Sequence, residues 1–87
     1  MVKDDRYVAV QSMFESGKIQ KFSDIFKVLP KTILARDMGQ NYRTFVAKIA
    51  SPDRFTVGEI RKIARLIDVT YAQMFESIIT DIEQKRI

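Results

Sequence analysis

The chain has 87 residues, 46% of them apolar and 30% charged, with a net charge of +4 and no cysteine or histidine. A chain of this size buries only about 60 to 65% of its unfolded surface, so the expectation is one small domain spanning residues 1–87, not a frame for a deep active site. Without thiols or imidazoles it lacks disulfides, the usual zinc ligands and the side chain most used for acid–base work near neutral pH, which argues against an enzyme and against a metal or other cofactor.

Apolar residues recur three and four apart almost throughout, which predicts an all-α chain, a compact bundle of five to six short helices. Tyr7, Val8, Val10, Met13 and Phe14 mark the first, stopped at Ser16-Gly17. Phe22, Ile25, Phe26 and Leu29 give a second, with Ser23 or Asp24 as its cap and Pro30 at its end or at the start of the next. Ile33, Leu34 and Met38 form the inner side of a helix over about 31–38, with Gly39 placed to terminate it in the left-handed conformation. Asn41 can cap a helix whose inner residues are Phe45, Val46 and Ile49, and Ser51-Pro52-Asp53 reads as the turn that stops it. Thr56-Val57-Gly58-Glu59 has the spacing of a capping box, followed by an apolar face of Val57, Ile60, Ile63, Ala64 and Ile67. A second box, Thr70 to Gln73, opens a last helix with the stripe Tyr71, Met74, Phe75, Ile78, Ile79 and Ile82. The tetrapeptide Met-Phe-Glu-Ser occurs at 13–16 and again at 74–77, but its flanks differ and no repeat architecture follows.

The positive charge is unevenly spread. Residues 31–55 carry five basic side chains against two acidic ones, whereas residues 56–87 balance. A polyanion would feel that middle segment most. No apolar run approaches the roughly 20 residues of a membrane span, and MVKDDRYVAV has acids where a signal peptide carries its apolar stretch, so no membrane association and a cytoplasmic location are expected.

The middle segment also contains the most informative local pattern, ARDMGQNYRTFVAKI at 35–49. Two short helices joined through Gly39-Gln40-Asn41 must cross steeply, because three residues leave no room for an antiparallel pair. Ala35 is the small residue that lets the backbones approach, facing Phe45, Val46 and Ile49. With Leu34-Ala35, Gly39 four residues after the alanine, Asn41 as a cap and Phe45 ten after the alanine, the segment resembles the helix-turn-helix of lambda-repressor-like, Cro/cI-type (Xre family) DNA-binding domains. Residues 59–76 resemble that family's next two helices more loosely, and together the likeness covers about half of the chain. Gln40 stands where the family usually has an apolar residue, Ile49 where it often has an acid, and residues 50–55 differ from its common glycine-containing turn. The first 29 residues match it poorly and hold an extra helical segment.

What the resemblance implies is a sequence-specific double-stranded DNA-binding protein, a small transcriptional regulator whose helix 41–49 lies in the major groove. Carried over by position, Tyr42, Arg43, Thr44 and Ala47 are the candidates for base edges and groove walls, and Lys31, Gln40, Asn41, Lys48 and Arg54 are the candidates for phosphate. The planar fork of Arg43 independently suits guanine O6 and N7. The C-terminal stripe, with Met74, Phe75, Ile78 and Ile82, is the expected homodimer contact. A different class of function is an α-helical protein–protein interaction module using that same stripe.

Overall fold

The computed structural model describes residues 4–85. Five α-helices occupy Arg6–Glu15 (α1), Lys31–Met38 (α2), Tyr42–Ala50 (α3), Val57–Ile67 (α4) and Tyr71–Lys85 (α5). Two 3-10 helices stand between them, Phe22–Lys27 before α2 and Pro52–Arg54 before α4. There is no strand among the described residues. The radius of gyration is 11.9 Å, against about 12 Å for a compact chain of this length.

Each helix starts and stops where its local chemistry dictates. Gly17 and Gly39 are both left-handed, at φ 79° and 69°, a conformation that costs glycine nothing. At Gly39 the closure of α2 is a Schellman motif: the Gln40 N–H reaches the Ala35 carbonyl at 3.0 Å and the Gly39 N–H reaches that of Arg36 at 3.0 Å. The two predicted capping boxes form. Thr56 Oγ1 accepts from the Glu59 N–H at 3.1 Å and Glu59 Oε1 from the Thr56 N–H at 2.9 Å; Thr70 and Gln73 repeat the exchange at 3.1 and 2.9 Å. Asp68 ends α4 with φ 68°, an unusual conformation for a residue other than glycine, though aspartate tolerates it better than most.

Leu34, Phe45, Ile60, Ile63, Ile67, Met74 and Ile78 are buried in one cluster with Tyr7, Val10, Phe22, Ile25 and Leu29 from the N-terminal third. Four aromatic rings tie that third to the middle of the chain. Phe26 meets Phe22 edge-on at 5.3 Å, Phe22 meets Phe55 at 5.4 Å, and Phe55 meets Phe45 at 5.8 Å, the geometry that ring quadrupoles favour. Phe55 follows directly on the second 3-10 helix, so it is the turn after α3 that brings this ring beneath α3. Two long-range polar ties accompany the rings. The Tyr7 hydroxyl donates to Asp37 Oδ2 at 2.7 Å, joining α1 to α2, and the Ser23 hydroxyl donates to the buried Asp81 carboxylate at 3.0 Å, joining the first 3-10 helix to α5.

Several expectations change here. Val8 and Val57 are not inward: they are 67% and 56% exposed. Val8 sits between the inward positions Tyr7 and Val10. Val57 is the first residue of α4, where the chain is still entering the bundle. The segment 22–27 is a 3-10 helix capped by neither Ser23 nor Asp24: Ser23 serves Asp81, and Asp24, inside the first turn, accepts a long 3.5 Å bond from the Lys21 N–H. On α5 the inward line is Met74, Ser77, Ile78 and Asp81, while Phe75 turns outward.

Because Phe55 links two rings in the core and Val57 is exposed, Phe55→Ala is expected to destabilise the fold by about 3 kcal/mol or more, and Val57→Ala by no more than about 0.5 kcal/mol. Urea unfolding followed by circular dichroism measures both; equal effects would mean that the ring chain is not a structural member.

Candidate functional site

The corner between α2 and α3 is built from its ends inward. Asn41 has extended backbone and its Oδ1 accepts from the N–H groups of Arg43 at 2.9 Å and Thr44 at 3.4 Å. That satisfies two of the four donors a helix start leaves open and leaves the Asn41 amide nitrogen pointing away from the cap. With Phe45 and Ile49 buried against the core, the helical period turns Tyr42, Arg43, Thr44 and Ala47 outward, and all four are exposed, Tyr42 at 48%. Arg43 has no carboxylate partner among the described residues, nor do Lys31 and Arg54.

Helix α2 starts after Pro30 without a side-chain cap. The first backbone N–H to find a partner is that of Ile33, on the Pro30 carbonyl at 3.1 Å. The N–H groups of Lys31 and Thr32 therefore face outward beside the Lys31 ammonium, an arrangement suited to an anion. Lys31 and Lys27 rim an open cleft of about 350 Å³ whose other wall is the Val46, Ile49, Ala50 side of α3. The start of α2 and the flank of α3 thus belong to one continuous surface.

The two remaining phosphate candidates have a different use. Gln40 and Lys48 both donate to Glu59 Oε2 on the first turn of α4, Lys48 at 2.5 Å, and the Lys48 and Glu59 side chains are largely buried. A polar turn residue pressed under α4 must find a hydrogen-bond partner there, and the carboxylate of Glu59 supplies one to Gln40 and to Lys48 at once. In this geometry the Gln40 amide nitrogen and the Lys48 ammonium, both phosphate candidates by sequence, are turned to Glu59. One turn further along α4, Lys62 donates to the Met38 carbonyl at 3.3 Å, at the open C-terminal end of α2. Glu59 and Lys62 together hold both sides of the corner, and neither was expected in that role. The capping-box spacing marked Glu59 for its local bonds; nothing local marks a partner eleven or nineteen residues away.

Burial pushes the Glu59 carboxyl up, but the Lys48 ammonium, the Thr56 N–H and the Gln40 amide outweigh it and hold the group at about 2, below its ordinary 4.5. Among the described residues no cluster of acidic side chains is placed to hold a metal ion, and no helix is long and apolar enough to cross a membrane. The other surface feature is on α5, where the exposed Phe75 ring stacks on Tyr71 at 5.9 Å and the Arg61 guanidinium lies 5.9 Å above the Tyr71 ring. Met74 and Ile78, expected to share an outer stripe with Phe75, lie in the core. Comparison with protein-family models, with curated proteins and with solved structures finds no match to the chain.

The depressed Glu59 value has a definite sign in stability. Its contribution is whole above the unfolded value of 4.5 and is lost as pH falls toward about 2. Between about pH 6 and about pH 3 the unfolding free energy is expected to fall by on the order of 2 kcal/mol through this group alone. Glu59→Gln should flatten that part of the profile in urea titrations at the two pH values; an unchanged profile would assign the acid sensitivity elsewhere.

Proposed function

We propose that the chain is a sequence-specific double-stranded DNA-binding module of the lambda-repressor-like, Cro/cI helix-turn-helix type, a small transcriptional regulator that lays α3 in the major groove. The observation that carries this reading is the first turn of α3: a capped, rigid helix start that holds Tyr42, Arg43 and Thr44 outward. Arg43 there has no carboxylate partner among the described residues. An eight-residue helix, a three-residue connection and a nine-residue helix, placed in the segment with most of the positive surplus, support it.

In this reading the Arg43 fork pairs with guanine O6 and N7. Tyr42 meets a thymine methyl group or a phosphate, and Thr44 and Ala47 line the groove walls. Lys31, with the free N–H groups that start α2, holds one phosphate; the Asn41 amide and Arg54 hold others. A homodimer through α5, centred on Phe75 with the half-buried Ile82 beside it, would set two α3 helices about 34 Å apart on a two-fold operator. Phe75 also supports a second reading, in which this face binds a different protein and the basic surface is incidental.

Affinity for duplex DNA should fall steeply as salt rises. Arg43→Ala is expected to relax selection at one base pair, losing about 1 to 3 kcal/mol of discrimination there, while Lys31→Ala weakens all sequences alike and lowers the salt slope by about 1. Selection of bound sites from random duplexes, followed by anisotropy titrations, measures both, and variants that titrate like the wild-type protein would overturn the docking model. For the dimer, Phe75→Glu should shift sedimentation equilibrium to the monomer. A wild-type monomer with no duplex affinity at low salt favours the interaction module instead.

A further inference from the structure

We propose that Glu59 is an internal surrogate for a DNA phosphate: it holds the Lys48 ammonium and so withdraws one cation from the backbone-contacting surface of α3, limiting sequence-independent binding. This rests on the DNA-binding reading of the same surface.

Lys48 lies one helical turn after Thr44 on α3, along an edge whose preceding residue is outward. Its four-carbon stem would carry the ammonium to that surface, yet the ammonium sits 2.5 Å from Glu59 Oε2. The pairing is one-sided. Glu59 is held as an anion by the Thr56 N–H at 2.9 Å, by the Gln40 amide, and by its place in the first turn of α4, where the helix dipole favours negative charge. Loss of Lys48 would leave those three supports intact. Lys48 has no second partner among the described residues, so loss of the carboxylate would free its charge altogether. The fold thus supports the anion from three sides besides Lys48 and uses it to neutralise the cation.

The effect on the surface follows directly. Of the five basic residues between 31 and 55, Arg36 is paired with Asp37 and Lys48 with Glu59, which leaves Lys31, Arg43 and Arg54 to act on a polyanion. Arg36 and Asp37 are adjacent and the Arg36 side chain is exposed, so that pair is weak. The Lys48–Glu59 pair is shielded and set by two helices. It is the one that removes a charge from the surface.

Glutamine is accepted at the third position of a capping box, so Glu59→Gln deletes the negative charge while keeping the local bonds of α4. The experiment is anisotropy titration of a random-sequence duplex with wild-type protein, Glu59→Gln, Lys48→Met and the double variant, from about 50 to about 200 mM salt. Freeing Lys48 adds one phosphate contact, so Glu59→Gln should bind more tightly at low salt and lose about 3.5-fold more affinity across that range, a slope steeper by about 0.9. Lys48→Met should keep the wild-type slope, and the double variant should return to it. A wild-type slope in Glu59→Gln overturns the proposal, as does a flatter slope in Lys48→Met, which would mean that Lys48 already contacts phosphate. Steepening that survives in the double variant also overturns it, since the gain would come from the lost acid alone. Should Glu59→Gln fail to fold, the Lys48→Met slope decides. Wild-type protein that binds no duplex at low salt overturns the DNA-binding reading, and this proposal with it. Wild-type binding with an unchanged Glu59→Gln slope overturns this proposal only.

Discussion

The corner between α2 and α3 depends on one carboxylate. Glu59 stands on the first turn of α4, and its two oxygens serve three donors: Oε1 accepts from the Thr56 N–H, and Oε2 accepts from both the Gln40 amide and the Lys48 ammonium, while the Glu59 N–H completes the cap exchange by donating to Thr56 Oγ1. An orphaned buried polar group costs about 1 to 3 kcal/mol, so these bonds matter to the corner, although in Gln40 only the amide nitrogen is paired and the buried amide oxygen has no partner among the described residues. The angle of α3 is therefore tied to α4 through a charged contact as well as through Phe45 and Ile49. Lys62 supplements it from the next turn by closing the end of α2.

Beneath this latch the N-terminal third acts as a floor. Phe22 reaches the underside of α3 through Phe55 and Phe45, and the ties Tyr7–Asp37 and Ser23–Asp81 fasten the same third to α2 and to α5. The polar ties add orientation to what is otherwise non-directional burial. Outward residues at the start of α3 are thereby held by elements far from them in the chain, which is how a loop-sized feature acquires the rigidity of a domain.

Much of this was legible in the residue pattern, and for definite reasons. Gly39, Asn41, Thr56 and Thr70 act on backbone groups within four residues of themselves, so their spacing alone determines what they do. Phe45, Ile49, Ile60, Ile63 and Ile67 follow the helical period and are buried as it requires. What escaped is long-range or positional. The period marked Val8 and Val57 as inward, but it cannot say where a helix leaves the bundle. The repeated Met-Phe-Glu-Ser makes the same point: in α5 it buries Met74 and exposes Phe75, whereas in α1 both Met13 and Phe14 are half-buried. Gln40 and Lys48 read as outward polar residues because their partner lies on another helix. Phe55, in a turn, carried no periodic signal at all. The outward set Tyr42, Arg43, Thr44 and Ala47 was legible because it is the complement of the inner residues Phe45 and Ile49, whereas Val46, also expected inward, is only half-buried and lines the cleft beside Lys31.

The chain of rings from Phe26 to Phe45 bears on portability. The fifteen residues of the corner look self-contained on paper, and a grafting experiment would naturally lift them onto a foreign scaffold. Their underside, however, is upholstered by a phenylalanine from position 22 and another from position 55. A transplanted corner would arrive without its cushion, and a host would have to offer aromatic surface of matching shape before α3 could settle at its native tilt. The unit that travels intact is accordingly close to the whole bundle, and variation confined to Tyr42, Arg43, Thr44 and Ala47 is the change that alters the outer face of α3 while leaving its foundations alone.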